Sequence, residues 1–330
     1  PLVVDFYNLP LNLNRKIKIG YYSNEFYSHV TSLFFKTLLK YHDREVYEIY
    51  CYSNAIKQDE VTEYLIKNAD FWRDVSKIEP KRIAQKVRDD HIDIFVGTTN
   101  FLASNRIVLA HQPAPIIVSY MNQVSSTGLA KVDYLIADDK ISPIGSTDDF
   151  FTEKVIRLNN FICYCPPENE VELKPSPLIA NGYITFGCFN NLAKLNQIVI
   201  STWSDILNLV PNSQIKLVTR GFKDLTLQAR YLKLFKASGI QQNRIEFITS
   251  NLDRAQYLDQ YNLIDIGLDP FPFNGGTVSD EALYMSVPLV TLAGETEMSR
   301  MSMSKLSRLN LNELIAYNAE DYVRIAKDLA

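Results

Sequence analysis

Asn274-Gly275-Gly276-Thr277 separates an apolar run, Ile264 to Leu268, from a stretch with helical spacing of Ala282, Leu283 and Met285 that ends before Pro288. A strand that feeds a tight loop and then a helix offers the helix's first free N–H groups and its positive dipole end to whatever lies above them. Gly275 and Gly276 let the backbone come close to a ligand, and a phosphate suits such a place. Thr277 and Val278 open the helix, and Asn274 stands just before the glycines. Glu281, about one turn in, lies near the same mouth, where an acidic residue can hydrogen-bond a ribose diol. Thr277-Val278-Ser279-Asp280 also fits an ordinary capping box, and Gly-Gly before a helix occurs in plain loops, so both readings stand.

Other residue types point to related chemistry. Asn191 and Lys194 sit in Phe189-Asn190-Asn191-Leu192-Ala193-Lys194, just after an apolar strand pattern. From there Lys194 could reach a diphosphate held at 274–278, or simply be solvated. Arg254 and Tyr257 are three apart on a helical stretch and so share a face, where they could flank a base or ribose, or pack. His29 stands where a loop becomes a helix with Ser28 as the expected N-cap; the positive helix end favours a neutral ring able to take a proton. The alternative is a histidine that merely fills the first turn. His42 and His91 read as solvated surface groups, and His111 has no partner visible in sequence. Ser126, Thr127 and Gly128 close a polar loop, Tyr120 to Gly128, with amides and hydroxyls to offer a sugar, or a plain surface loop.

The elements that must place these groups alternate. Strands are expected over Lys16–Ser23, Val46–Tyr52, Ile92–Val96, Ile116–Tyr120, Tyr134–Ala137 and Lys154–Leu158, with helices from the Ser28 cap through Leu39 and over Glu60–Asn68 and Pro80–Asp90. A proline-rich polar run from Pro166 to Pro177 reads as a boundary. Beyond it the pattern restarts: strands near 184–188, 214–218, 245–248, 264–268 and 289–292, and helices near 198–209, 227–237, 254–261, 298–309 and 319–330. Strand–helix alternation implies βαβ units and mostly parallel sheets covered on both faces, with ligands outside the carboxyl ends of the strands. The expected domains are a linker, 1–15, cut from something longer, a Rossmann-like lobe over 16–168 on the acceptor side, and a second over 178–330 on the nucleotide side.

Composition narrows the partners. The chain has 330 residues, 46% hydrophobic and 22% charged, with a net charge of −4, ordinary values for a globular protein of two domains. Charges are interspersed, which disfavours a nucleic-acid surface. Cys51, Cys163, Cys165 and Cys188 lack metal-site spacing and read as thiols in a reducing cytoplasm. No apolar stretch approaches the ~20 residues of a membrane span. No Gly-x-Gly-x-x-Gly follows either first strand, which disfavours a dehydrogenase, and no Asp-x-Asp pair occurs.

Four stretches, IKIGYYSNEFYSHVTS, NRIVLAHQPAPIIVSYMNQVSSTGLAKVDYLIAD, FGCFNNLAKLNQIVISTWSDILNLVPNS and LDPFPFNGGTVSDEALYMSVPLVTLAGETEMSR, resemble in order the catalytic region of the O-linked N-acetylglucosamine transferases, the Spindly-like glycosyltransferase family 41. The resemblance covers about 16 to 330. It implies an α/β GT-B fold of two Rossmann-like domains facing a cleft, and metal-independent transfer of a sugar, N-acetylglucosamine foremost, from a UDP-sugar to protein Ser or Thr. No cofactor is implied, the UDP-sugar being a co-substrate. By resemblance His29 matches a conserved histidine beside the sugar, once favoured as base. Asn191 and Lys194 match a glutamine and a lysine on the UDP, the lysine on its diphosphate. Arg254 and Tyr257 lie beside uridine; Gly276, Thr277 and Val278 cover the phosphate-binding helix start; Glu281 takes an aspartate's place on the ribose.

The departures are a loop reading Met121-Asn122-Gln123-Val124-Ser125-Ser126-Thr127-Gly128 where the family has LGYPGTTG, Val278 for a phosphate-binding threonine, and Phe101 where bacterial relatives often carry histidine. Helical repeats before the catalytic region and helices after Ala330 are further expected differences, and flanking repeats or other subunits stay open as partners beside the donor and the protein acceptor. The alternatives are a relative that glucosylates asparagine and a non-catalytic UDP-sugar-binding protein.

Overall fold

The structure, a computed structural model, describes residues 15–98, 102–121, 125–146, 148–160, 164–167, 171–249 and 252–330. It divides into two compact units, Pro1–Cys165 and Pro166–Ala330. Most of the expected linker, together with Phe101, Cys163 and Asn122 to Val124, lies outside the described residues.

Unit 1 holds a seven-stranded parallel sheet of β1 (Ile17–Ser23), β2 (Tyr47–Ser53), β3 (Phe71–Asp74), β4 (Ile94–Gly97), β5 (Ile116–Ser119), β6 (Tyr134–Asp138) and β7 (Lys154–Leu158), ordered β3-β2-β1-β4-β5-β6-β7. Both faces are covered because each strand alternates with period two. Ile19, Tyr21, Ile49, Cys51 and Val96 pack with Phe34, Phe35 and Leu39 of α1 (Val30–Lys40) and Leu65 of α2 (Glu60–Asn68). On the other face Tyr22, Tyr50, Tyr52 and Phe95 pack with Ile83 and Val87 of α3 (Pro80–Asp89) and Val108 and Leu109 of α4 (Ala103–Ala110).

Two elements of this unit escape the sequence reading, β3 and α4. β3 reads Phe-Trp-Arg-Asp, an edge strand without alternation; α4 is eight residues long and has no side-chain cap hydrogen bond. The N-cap of α1 is also corrected. It is His29, whose side chain accepts from the Thr31 N–H at 3.3 Å, while the Ser28 N–H donates to the Asp59 carboxylate at 2.9 and 3.1 Å.

Unit 2 follows α5 (Pro177–Asn181) and has six parallel strands, β8 (Thr185–Cys188), β9 (Gln214–Val218), β10 (Ile245–Ile248), β11 (Ile266–Leu268), β12 (Leu289–Leu292) and β13 (Ile315–Ala316). Their order is β10-β9-β8-β11-β12-β13. Its larger core sets Phe186, Ile215, Leu217 and Ile266 against α6 (Gln197–Leu209), α7 (Leu225–Ala237) and α11 (Ala319–Leu329), with Trp203 and Tyr322 fully buried at its centre. α8 (Arg254–Asp259) and α9 (Thr277–Tyr284) pack on the opposite face through Leu258, Ala282 and Met285. α10 (Met301–Arg308) packs against α9.

In each unit the order reverses beside the first strand. β8 lies between β9 and β11, as β1 lies between β2 and β4. The connections from such neighbouring strands run to opposite faces and open a crevice at their carboxyl ends.

Candidate functional site

The crevice of unit 2 is built from the loops after β8 and β11. The β8 loop becomes a short 3-10 turn, Leu192–Lys194, capped by Asn191, whose side chain accepts from the Ala193 N–H at 2.9 Å. Lys194 ends this turn and crosses to the β11 loop, eighty residues away in sequence. Its Nζ donates to the Asn274 carbonyl at 2.6 Å and to Asn190 Oδ1 at 3.2 Å, and stands 4.0 Å over the Phe273 ring. Burial lowers the Lys194 pKa below its ordinary value, with the Asp269 carboxylate opposing.

The β11 loop is fixed by its own polar groups. Asp269, wholly buried, accepts from the Gly275 N–H at 2.7 Å and from Thr291 Oγ1 at 2.7 Å. Burial raises its pKa. Its carbonyl accepts from the Tyr322 hydroxyl at 2.9 Å, and that hydroxyl accepts from Trp203 Nε1 at 3.1 Å, so the loop is anchored to the core. Asn274 is buried, and its amide donates to Pro270 O at 3.1 Å and Leu292 O at 3.3 Å. It is part of the scaffold.

The two glycines differ. A Cβ at Gly275 would stand 2.2 Å from Ser279 Oγ and 3.0 Å from Asp269 Oδ1, so that glycine is required by packing inside the loop. A Cβ at Gly276 would meet nothing within 4 Å. Gly276 is the N-cap of α9 and no side chain caps the helix, so the capping box that Thr277 to Asp280 could have formed is not made. Among the described residues no acceptor is found for the N–H groups of Gly276, Thr277 and Val278. Uncapped donors beside an ammonium are an arrangement suited to an anion.

Arg254, Tyr257 and Glu281 also meet here. Arg254 pairs with Glu281, whose other oxygen lies 3.2 Å from the Tyr261 hydroxyl. Burial raises the Glu281 pKa and Arg254 opposes it. Tyr257 stands edge-on to Phe189 and Tyr261, with ring centroids 5.8 and 6.0 Å away. The Val278 carbonyl accepts from the Tyr261 hydroxyl at 3.1 Å. The acid expected near a ribose is therefore satisfied within the protein by a cation and a phenol.

The unit 1 candidates belong to two separate clusters. His29 Nδ1 faces the Thr31 N–H at 3.3 Å and Glu25 Oε2 at 3.3 Å. Glu25 is buried and also accepts from Thr31 Oγ1. Glu25 and the Thr31 N–H together fix the orientation of the ring, and Glu25 is a residue that sequence reasoning missed. Ser126 Oγ donates to Glu153 at 2.8 Å, and Thr127 donates to the same carboxylate through its N–H at 2.7 Å and its hydroxyl. Gly128 takes a positive φ of 67° and its N–H donates to Ser126 Oγ at 3.0 Å. The donors that the sequence offers to a sugar here serve a buried Glu153.

His42 corrects an expectation: it is half-buried with Nε2 at 2.8 Å from the Tyr21 hydroxyl, and burial lowers its pKa. Asp280, read from sequence only as part of a capping box, pairs instead with Lys305, a charged group at the α9 start that nothing in the sequence pattern marked.

The model of Glycosyl transferase family 41 matches residues 5–163 and 176–330. A probable UDP-N-acetylglucosamine–peptide N-acetylglucosaminyltransferase SPINDLY of Arabidopsis thaliana is 36% identical over 322 residues, 96% of this chain and 35% of that protein. The SPINDLY protein of Oryza sativa subsp. japonica is 35% identical over 326 residues, 97% of this chain and 35% of its own length. The chain thus spans about a third of the curated relatives it matches. The solved structure of a mutant O-GlcNAc transferase from Thermobaculum terrenum matches with a TM-score of 0.90 and 34% identity, covering 96% of this chain and 60% of that one. The paired Rossmann-like architecture expected of a GT-B protein is the one found.

Proposed function

The chain belongs to glycosyl transferase family 41, and from that premise we propose that it moves a sugar, N-acetylglucosamine, from a UDP-sugar to a hydroxyl of a protein or peptide. The observation that carries this reading is the convergence at one strand-order reversal of the Lys194 ammonium and the open N–H groups of Gly276, Thr277 and Val278. Such a set holds a pyrophosphate.

In the proposed reaction the acceptor oxygen attacks the anomeric carbon. The bond from that carbon to the β-phosphate oxygen breaks, its electron pair stays on the diphosphate, and the hydroxyl proton leaves to a base. Lys194 and the α9 amides stabilise the charge that grows on the leaving group, so no metal or cofactor is assigned a step. Arg254, Tyr257 and Glu281 flank the uridine, and Asn191 lies on the same rim. Asn274 and Gly275 shape the loop. His29, backed by Glu25, is assigned the acceptor's proton, and Ser126, Thr127 and Gly128 the support of the loop on the sugar side.

No helix among the described residues is long and apolar enough to cross a membrane. Cys51 and Cys188 are buried free thiols, which supports a reducing, cytoplasmic setting.

The test is incubation with a panel of UDP-sugars and serine- or threonine-bearing peptides, reading UDP release and the mass of the peptide. Release that depends on UDP-N-acetylglucosamine, with one hexosamine gained on a hydroxyl, is expected. Saturable binding without release would replace the reading by a non-catalytic sensor, which the commitment of Ser126 and Thr127 to Glu153 favours. Absence of both would remove the reading.

A further inference from the structure

We propose that Lys305 is a positioning residue of this site, its ammonium holding the Gly276 carbonyl and the Asp280 carboxylate so that the α9 amides stay turned toward a nucleoside diphosphate. The inference rests on the donor-site reading above. Lys305 Nζ donates to Gly276 O at 2.9 Å and pairs with Asp280, and the two side chains are only 15% and 12% exposed.

Ser302, three residues earlier and so on the same face of α10, donates to Gly275 O at 3.2 Å and contacts Ser279 Oγ at 2.7 Å. Lys194 already holds Asn274 O. The carbonyls of Asn274, Gly275 and Gly276 are therefore each gripped by a side chain from another element.

A trans peptide is planar, with its C=O and N–H pointing opposite ways. Holding Gly275 O toward Ser302 turns the Gly276 N–H away from α10, and holding Gly276 O toward Lys305 turns the Thr277 N–H away as well. These are two of the three amides without an acceptor. Gly276 alone would allow its flanking peptides to rotate, so orientation must come from outside the loop.

The pair has a second effect. Asp280 lies in the first turn of α9, close to where an anion binds. An unpaired carboxylate there would repel a phosphate and offset the helix dipole. Lys305 neutralises it without pointing at the ligand.

The experiment compares wild type, Lys305→Met and Lys305→Arg by calorimetric titration with UDP and, separately, with uridine, which has no phosphate. For Lys305→Met the expected result is a loss of UDP affinity of about tenfold or more, with uridine affinity unchanged and partial recovery in Lys305→Arg. Should Lys305→Met fail to fold because it strands Asp280, the double variant Asp280→Asn/Lys305→Gln strands no charge and carries the same expectation. Unchanged UDP affinity in a folded variant, or equal losses for UDP and uridine, would overturn the inference. A wild type that binds UDP while the variant behaves in either of those ways leaves the donor site standing; a wild type that binds no UDP takes both away.

Discussion

Replacing Lys194 by alanine tests the charge at the centre of the proposed reaction. At about 4 Å and an effective dielectric of about 20, an ammonium and a phosphate charge attract by about 4 kcal/mol. Removing one preorganised donor to a developing anion lowers turnover by about 10²–10³-fold, or roughly 3–4 kcal/mol. The structural cost is smaller. Asn274 O, 2.6 Å from Nζ, and Asn190 Oδ1, 3.2 Å away, lose a donor, which costs about 1–3 kcal/mol. A domain with the usual margin of about 5–15 kcal/mol tolerates that loss. Lys194→Ala is therefore expected to fold, to melt a few degrees lower, and to release UDP at least a hundredfold more slowly (about 10²) at saturating donor. The assay is coupled UDP release beside circular dichroism. A folded variant with near-normal turnover would refute the assignment of Lys194 to the leaving diphosphate.

Three further outcomes follow from the same geometry. Because burial holds the Lys194 pKa below its ordinary 10.5, UDP affinity should fall as pH rises through that lowered value, before an exposed lysine would titrate. At pH values near and above that lowered value, binding should also take up a proton, seen as calorimetric heats that depend on the buffer. In the free protein the sign is opposite: with the folded pKa below the unfolded one, this group adds stability as pH rises from the lowered to the ordinary value. Gly275→Ala should lower the melting temperature, since its Cβ meets Ser279 Oγ at 2.2 Å, an overpacking cost of about 1–3 kcal/mol. Gly276→Ala, whose Cβ meets nothing within 4 Å, should cost less on differential scanning. His29→Gln and Glu25→Gln should each lower turnover by about 10²-fold while leaving the dissociation constant for UDP unchanged, and an equal loss of UDP affinity would contradict the separation of roles.

The βαβ alternation was legible because strands covered on both faces carry short runs rich in apolar residues, such as Ile94–Gly97 and Leu289–Leu292, between helical patterns. β3 was not legible, since an edge strand that pairs on one side tolerates the Arg73 and Asp74 that a central strand would exclude. Ser28 looked like the cap because serine is a common cap. His29 takes the place, its ring accepting from the Thr31 N–H, while Ser28 is tied to Asp59 thirty-one residues downstream, a contact of a range that leaves no local mark.

The site divides along the same line. Residues at strand ends, Lys194 and 274–278, could be placed from sequence because strand order dictates where loops gather. The choice between a capped helix and an open one could not, because Thr277 serves either equally well. It is decided by Asp269, Ser302 and Lys305, which hold Gly275 and Gly276 in a conformation where Gly276 becomes the N-cap. The polar groups that could have capped α9 locally are used elsewhere: Ser279 on Ser302, Asp280 on Lys305. A sequence that provides a serine and an aspartate at a helix start and then binds both to a neighbouring helix leaves three amides open to an anion. On the proposed reading, the orientation of these amides rests on α10 as much as on the glycine loop, which makes the α10 variants, rather than further changes to the glycines, the sharper probe of the proposed diphosphate site.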